Sequence, residues 1–174
     1  MSIEQQKFYE LEKVLTIFET SRCRVREKIR KILKTDQDNV RYDQMNVQKL
    51  LEDFHVDTFC EQIQNKTQQE QIQQIEEKIG QFQSIIDELW NIQRVHASEI
   101  VEYYDHIRDY GYLWYWGVWD SISFADEFGR TSCNVATYFQ NIDQQIKDLG
   151  TQVYLLKEAK EKIIETQKAV TNPA

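Results

Sequence analysis

One proline and five glycines in 174 residues leave the chain little turn chemistry. That scarcity argues against a multi-stranded β protein, whose frequent reversals rely on those residues. Cysteine is equally sparse. Cys23, Cys60 and Cys133 are odd in number and widely separated, which fits neither a disulfide framework nor a metal knuckle and predicts small buried apolar residues in a reducing compartment. No run of about 18 consecutive apolar residues exists, so no membrane-spanning helix is expected. The opening Met1-Ser2-Ile3-Glu4-Gln5 carries no basic region followed by an apolar stretch, and reads neither as a secretory signal nor as an Arg-rich transit peptide. Asn65-Lys66-Thr67 matches a glycosylation sequon by chance in that context. An excess of positive charge is missing too: the net charge is −8, which argues against nucleic acid as a partner.

What remains is enough for one folded domain. Hydrophobic residues make up 41% and charged residues 29%, and a chain of this length buries roughly 70% of its unfolded surface. Three long stretches carry helical periodicity. In the first, Phe8, Leu11, Leu15, Phe18, Val25, Ile29 and Ile32 recur at steps of three and four, with Arg22 filling the gap. Ser2 and Gln5 form a capping-box pattern, placing this helix at about 3–34. Thr35-Asp36-Gln37-Asp38-Asn39 ends it, because these side chains compete for backbone hydrogen bonds. A turn and short helix occupy 35–56, with Asn46 as the cap before Leu50, Leu51 and Phe54.

The second stretch has heptad regularity. Ile72, Ile79, Ile86, Gln93, Ile100 and Ile107 fall at a positions, and Ile75, Phe82, Leu89, His96, Tyr103 and Tyr110 at d positions. With Thr58 and Glu61 as a capping box, the pattern predicts a long helix over 59–110 with a coiled-coil-like seam. Gly80 weakens it locally. Seven glutamines between Gln62 and Gln74 favour solubility and add little core. After an aromatic corner at 111–130, stopped by Phe128-Gly129, Thr131 or Ser132 caps a third helix over 132–170. Its seam is Val135, Phe139, Ile142, Ile146, Leu149, Val153, Leu156, Ile163 and Val170, with Lys160 and Gln167 as polar exceptions and Pro173 beyond its end. The expected fold is all-α, an elongated antiparallel helical bundle with coiled-coil-like long helices.

Catalytic chemistry is not indicated. Gly-rich phosphate loops, HExxH and GxSxG motifs are absent. His55 and Cys60 straddle an expected helix start, and His106 with Asp109 reads as an ordinary surface pair. Glu99, Glu102 and His106 lack the ExxH spacing of a carboxylate-bridged metal site. The expectation is therefore no enzyme, no cofactor and no metal. Gln93 and His96, at successive seam positions, fit a device that fixes register.

Two regions suit partner binding. Arg22, Arg24, Arg26, Lys28, Arg30, Lys31 and Lys34 oppose a lone Glu27. This block reads most simply as a solvated face, with Arg22, Arg26 and Arg30 also placed to meet an acidic helix or anionic headgroups. Between Tyr103 and Trp119 stand eight aromatics in seventeen residues, more than a small bundle easily buries. Tyr112, Trp114, Trp116 and Trp119 are the candidates for a protein interface, because tyrosine and tryptophan pair an apolar body with a polar tip. An aromatic core at the corner between the second and third helices is the equal alternative, and a membrane-interface belt the rival.

Val40-Arg41-Tyr42-Asp43-Gln44-Met45-Asn46-Val47 follows a long basic amphipathic helix and precedes a short one. This arrangement resembles a segment of the d subunit of the mitochondrial rotary ATP synthase, where a long helix enters an aromatic-Asp-Glu/Gln-Met/Leu-Thr turn. Tyr42, Asp43, Gln44 and Met45 match residue by residue, Asn46 stands for the usual Thr, and Arg41 stands for the usual Pro. The resemblance covers residues 10–55. It implies a peripheral-stalk component of the inner membrane, on the matrix side, that holds the catalytic head against torque. Such a component is an obligate hetero-oligomer of other protein subunits with possible contact to the membrane surface. The competing classes are a cytoskeletal or ciliary coiled-coil protein in the cytoplasm and a peripheral membrane-binding helical module.

Overall fold

The first helix starts where its capping residues dictate. Gln5 N–H donates to Ser2 Oγ at 3.1 Å, and Ser2 N–H donates to Gln5 Oε1 at 3.0 Å, so two otherwise orphaned donors are satisfied reciprocally. In the computed structural model, which describes residues 2–33, 45–100, 102 and 135–171, this helix is α1, Ile3–Leu33. Phe18, Val25 and Ile29 are fully buried along one face. Thr16 and Thr20 point outward and donate their hydroxyls to the carbonyls four residues earlier.

Helix α2, Val47–Asp53, is capped by Asn46, whose Oδ1 accepts from Lys49 N–H at 2.7 Å. Because Asn46 is itself buried, Asn46→Ala leaves that amide without its partner. The expected loss is about 1 kcal/mol or more of unfolding free energy, read from the urea midpoint, with Asn46→Asp retaining most of it. Helix α3, Val56–Gln62, follows at once. A turn then passes through Ile63 to α4, Gln68–Asn91, capped by Thr67 accepting from Glu70 N–H at 3.2 Å.

The long helix expected over 59–110 is therefore corrected at its start. Thr67 and Glu70, not Thr58 and Glu61, mark where the long helix begins. The break is stabilised by Gln71, whose Nε2 donates to the carbonyls of Gln64 at 3.1 Å and Lys66 at 2.9 Å. The turn also lets Ile63 bury, while at the junction of α2 and α3 Phe59 stands 5.7 Å from Phe54. Within a glutamine-rich run, one glutamine thus has a structural task that composition does not reveal.

Beyond Asn91 the helix continues through a π-turn, Ile92–His96, and then through 97–100. A π-turn accommodates an extra residue, and inward packing resumes at Ala97 and Ile100. The last helix is α5, Val135–Thr171. There is no strand among the described residues, and the fold is all-α.

Helix α4 lies against both long neighbours. Lys28 of α1 pairs with Glu88 at 3.2 Å, and Lys7 pairs with Glu102, so α1 and α4 run in opposite directions. Gln93 Nε2 donates to Asp143 Oδ1 at 3.3 Å and Lys160 pairs with Glu76 at 2.9 Å, which gives α4 and α5 the same opposed sense. Two neighbours explain why the buried stripe of α4 is wider than a two-position seam. Ile75, Phe82 and Leu89 are fully buried as expected for d positions, and Ile85 and Ile92, one residue before a positions, are fully buried as well. Edge-on and tilted rings fill the core: Phe18 meets Tyr138 at 5.7 Å, and Phe82 meets Phe54 at 4.9 Å.

The end of the expected long helix at 103–110, the aromatic corner at 111–130, the cap at Thr131 or Ser132, and Tyr42, Asp43 and Gln44 lie outside the described residues.

Candidate interaction surfaces

The basic block of α1 divides between interior and exterior. Arg22 sits in the gap of the apolar stripe with its side chain 9% exposed and pairs with Glu19 at 3.2 Å. Its guanidinium lies 5.6 Å from the Phe18 ring centre and 5.3 Å from that of Tyr138. Arg26, also buried, donates from Nη1 to the carbonyl of Met45 at 3.4 Å. Arg30 remains partly exposed and forms a two-pronged bond with Glu27, at 3.0 and 2.6 Å, which raises its pKa further. The block is therefore not simply a solvated face: Arg22 and Arg26 join elements of this chain to each other. Periodicity contained the signal, since Arg22 occupies a stripe position and Arg26 lies one turn further on.

Of Tyr42-Asp43-Gln44-Met45-Asn46, Met45 and Asn46 are described. Met45 is half-buried and fixed through its carbonyl by Arg26, while Asn46 starts the short helix. The candidate rings Tyr112, Trp114, Trp116 and Trp119 fall outside the described residues.

A groove of about 600 Å³ lies between α3, the start of α4 and α5, lined among others by His55, Cys60, Glu61, Leu155 and Ile163. His55 and Cys60 are thus on one surface feature, a neighbourhood the sequence does not reveal. Cys23 is exposed and Cys60 only partly buried, which corrects the expectation of buried cysteines. Partial burial, reinforced by the nearby Asp57 carboxylate, pushes the Cys60 thiol up, so it holds its proton and is a poor nucleophile. Among the described residues no cluster of three His, Cys, Asp or Glu side chains is arranged to hold a metal ion, and no helix is long and apolar enough to cross a membrane.

Lys78 of α4 extends toward two aromatic rings, with Nζ 5.9 Å from the centre of Phe54 and 5.5 Å from that of Phe59. Burial pulls its pKa below the usual lysine value, and the nearby Glu77 opposes this more weakly. Below its folded pKa, Lys78 therefore costs stability. That cost is relieved as pH rises from the folded pKa toward the unfolded value of about 10.4. Lys78→Met is expected to be as stable as wild type or more so at neutral pH. Its advantage should shrink as the medium becomes alkaline, which paired denaturation curves across pH would show. A growing advantage at alkaline pH would contradict the burial effect.

These residues define an all-α protein held together by buried arginines, aromatic packing and ion pairs between helices. No protein-family model matches the chain, and no curated protein or solved structure matches it either.

Proposed function

We propose that this chain is a non-catalytic structural subunit of a large assembly, and that the assembly is the peripheral stalk of mitochondrial ATP synthase. The observation that carries the structural role is the bracing of α4 against α1 and α5 by ion pairs well apart along its length, at Glu76 with Lys160 and Glu88 with Lys28. Helices of 31 and 37 residues extend about 45–55 Å at 1.5 Å per residue. Fixed side by side, such helices resist bending, and a stator needs that resistance. In this reading the helices form an elongated antiparallel bundle with coiled-coil-like contacts to other chains, on the matrix side of the inner membrane.

The assignment to the stalk is supported by the Tyr42-Asp43-Gln44-Met45 match and by the short helix that Asn46 caps immediately after it. The subunit needs no cofactor and is an obligate hetero-oligomer. Tyr112, Trp114, Trp116 and Trp119 contact a neighbouring subunit. Truncating a hot-spot tryptophan commonly costs about 2 kcal/mol of binding, roughly thirtyfold in affinity. Trp116→Ala and Trp119→Ala are therefore expected to release the chain from its complex while its helical circular dichroism stays close to wild type. Loss of helicity with the partner retained would assign these rings to the core instead.

A further inference from the structure

We propose that the groove between α3 and α5 receives a basic amphipathic helix from a partner protein, an inference that rests on the structural-subunit reading and gives that partner a chemistry. The floor of the groove is apolar. Val56 and Ile63 are buried within it, while Ile163 is only partly covered and Leu155 is 38% exposed. Leu156 is the last fully buried residue of α5 among the described residues, and Leu155, Glu158, Ala159, Lys162 and Ile163 around and beyond it line the groove. The rim is acidic. Asp57, Glu61 and Glu158 line it against one cation, Lys162.

Asp57 and Glu61 have no cationic partner among the described residues, and Glu158 accepts a hydrogen bond from Tyr154 at 3.2 Å. Where α4 meets its neighbours, by contrast, Glu76 and Glu88 each have a lysine. Covering the groove with an acidic or neutral helix would desolvate unpaired carboxylates. A helix with leucine-like residues at i, i+4 and i+7, flanked by lysine or arginine, fills the floor and neutralises the rim.

The test is a fluorescence-anisotropy titration of the full chain with a labelled synthetic helix of leucine and lysine in that register, beside an otherwise identical leucine and glutamate helix. The lysine helix is expected to bind and the glutamate helix not to bind. Leu155→Asp, at a half-exposed site, should weaken binding by about tenfold or more. The double variant Glu61→Lys with Glu158→Lys should reverse the preference between the two peptides. Equal binding of both peptides, binding unaffected by Leu155→Asp, or no binding to wild type would overturn the proposal, as would occupation of the groove by a second copy, seen as a dimer that Leu155→Asp disperses. Native electrophoresis of the same variants separates this failure from that of the subunit reading. A chain that still enters a large assembly with Leu155→Asp refutes only the groove, whereas a wild-type chain that enters none refutes the subunit role.

Discussion

Replacing Phe82 by alanine is expected to destabilise the protein by about 3–5 kcal/mol, the range for emptying a buried aromatic site. Phe82 is fully buried on α4 and lies 4.9 Å from Phe54, which in turn lies 5.7 Å from Phe59. The three rings join the end of α2, α3 and the middle of α4. Removing the Phe82 ring leaves a cavity that the flanking helices can close only by moving together, and Phe54, over which Lys78 lies, loses its closest ring neighbour. Against a total stability of roughly 5–15 kcal/mol, that loss should bring the thermal transition down sharply. Phe82→Leu should recover much of it by keeping volume in the site. A Phe82→Ala urea midpoint close to wild type would show that α2 and α3 do not depend on this cluster.

Arg22→Ala is expected to cost about 2–3 kcal/mol, from the loss of a largely desolvated cation–ring contact and of the packed aliphatic stem. The guanidinium stands between Phe18 of α1 and Tyr138 of α5 and is joined to Glu19, whose side chain is 49% exposed. Glu19 can rehydrate when Arg22 is removed, so the effect falls mainly on packing between α1 and α5. Two further variants separate the contributions. Arg22→Lys keeps the charge but loses the flat stacking surface, and should recover little. Arg22→Met keeps the stem and removes the charge, and should lie within about 1 kcal/mol of wild type, because apolar replacements of buried ionic groups are commonly well tolerated. Denaturation of the three variants in parallel checks this ordering. A fully restored Arg22→Lys would mean that charge alone holds the site.

Sequence patterning made the helices legible because burial imposes its period on them. Phe18, Val25 and Ile29 in α1, Ile75, Phe82 and Leu89 in α4, and Ile142, Leu149 and Leu156 in α5 all occupy expected inward positions and are fully buried. The break between α3 and α4 was not legible. Thr58 and Glu61 carry the same capping pattern as Thr67 and Glu70, and the difference lies in which turn the rest of the chain supports. That support comes from Gln71 and from the burial of Ile63. The second face of α4 was likewise missed: Ile85 and Ile92 gain their burial because α4 has two neighbours, which a two-position heptad reading does not count. Arg22 and Arg26 looked like part of a charged surface because charge is visible in a sequence, whereas the rings of Tyr138 and Phe18 and the Met45 carbonyl that receive them are brought near only by folding. The groove beside α3 is assembled from residues about 100 positions apart along α3 and α5, and no local motif announces it.

Isolation of the tagged full chain from gently solubilised native membranes, followed by native sizing and identification of its companions, tests the structural-subunit role most directly. The chain is predicted to travel in an assembly far larger than its own 20.9 kDa, in fixed stoichiometry with the catalytic head and stalk subunits of a rotary ATP synthase. Recovery as a free monomer would contradict the role as a subunit, and recovery with filament proteins alone would contradict the assignment to the stalk.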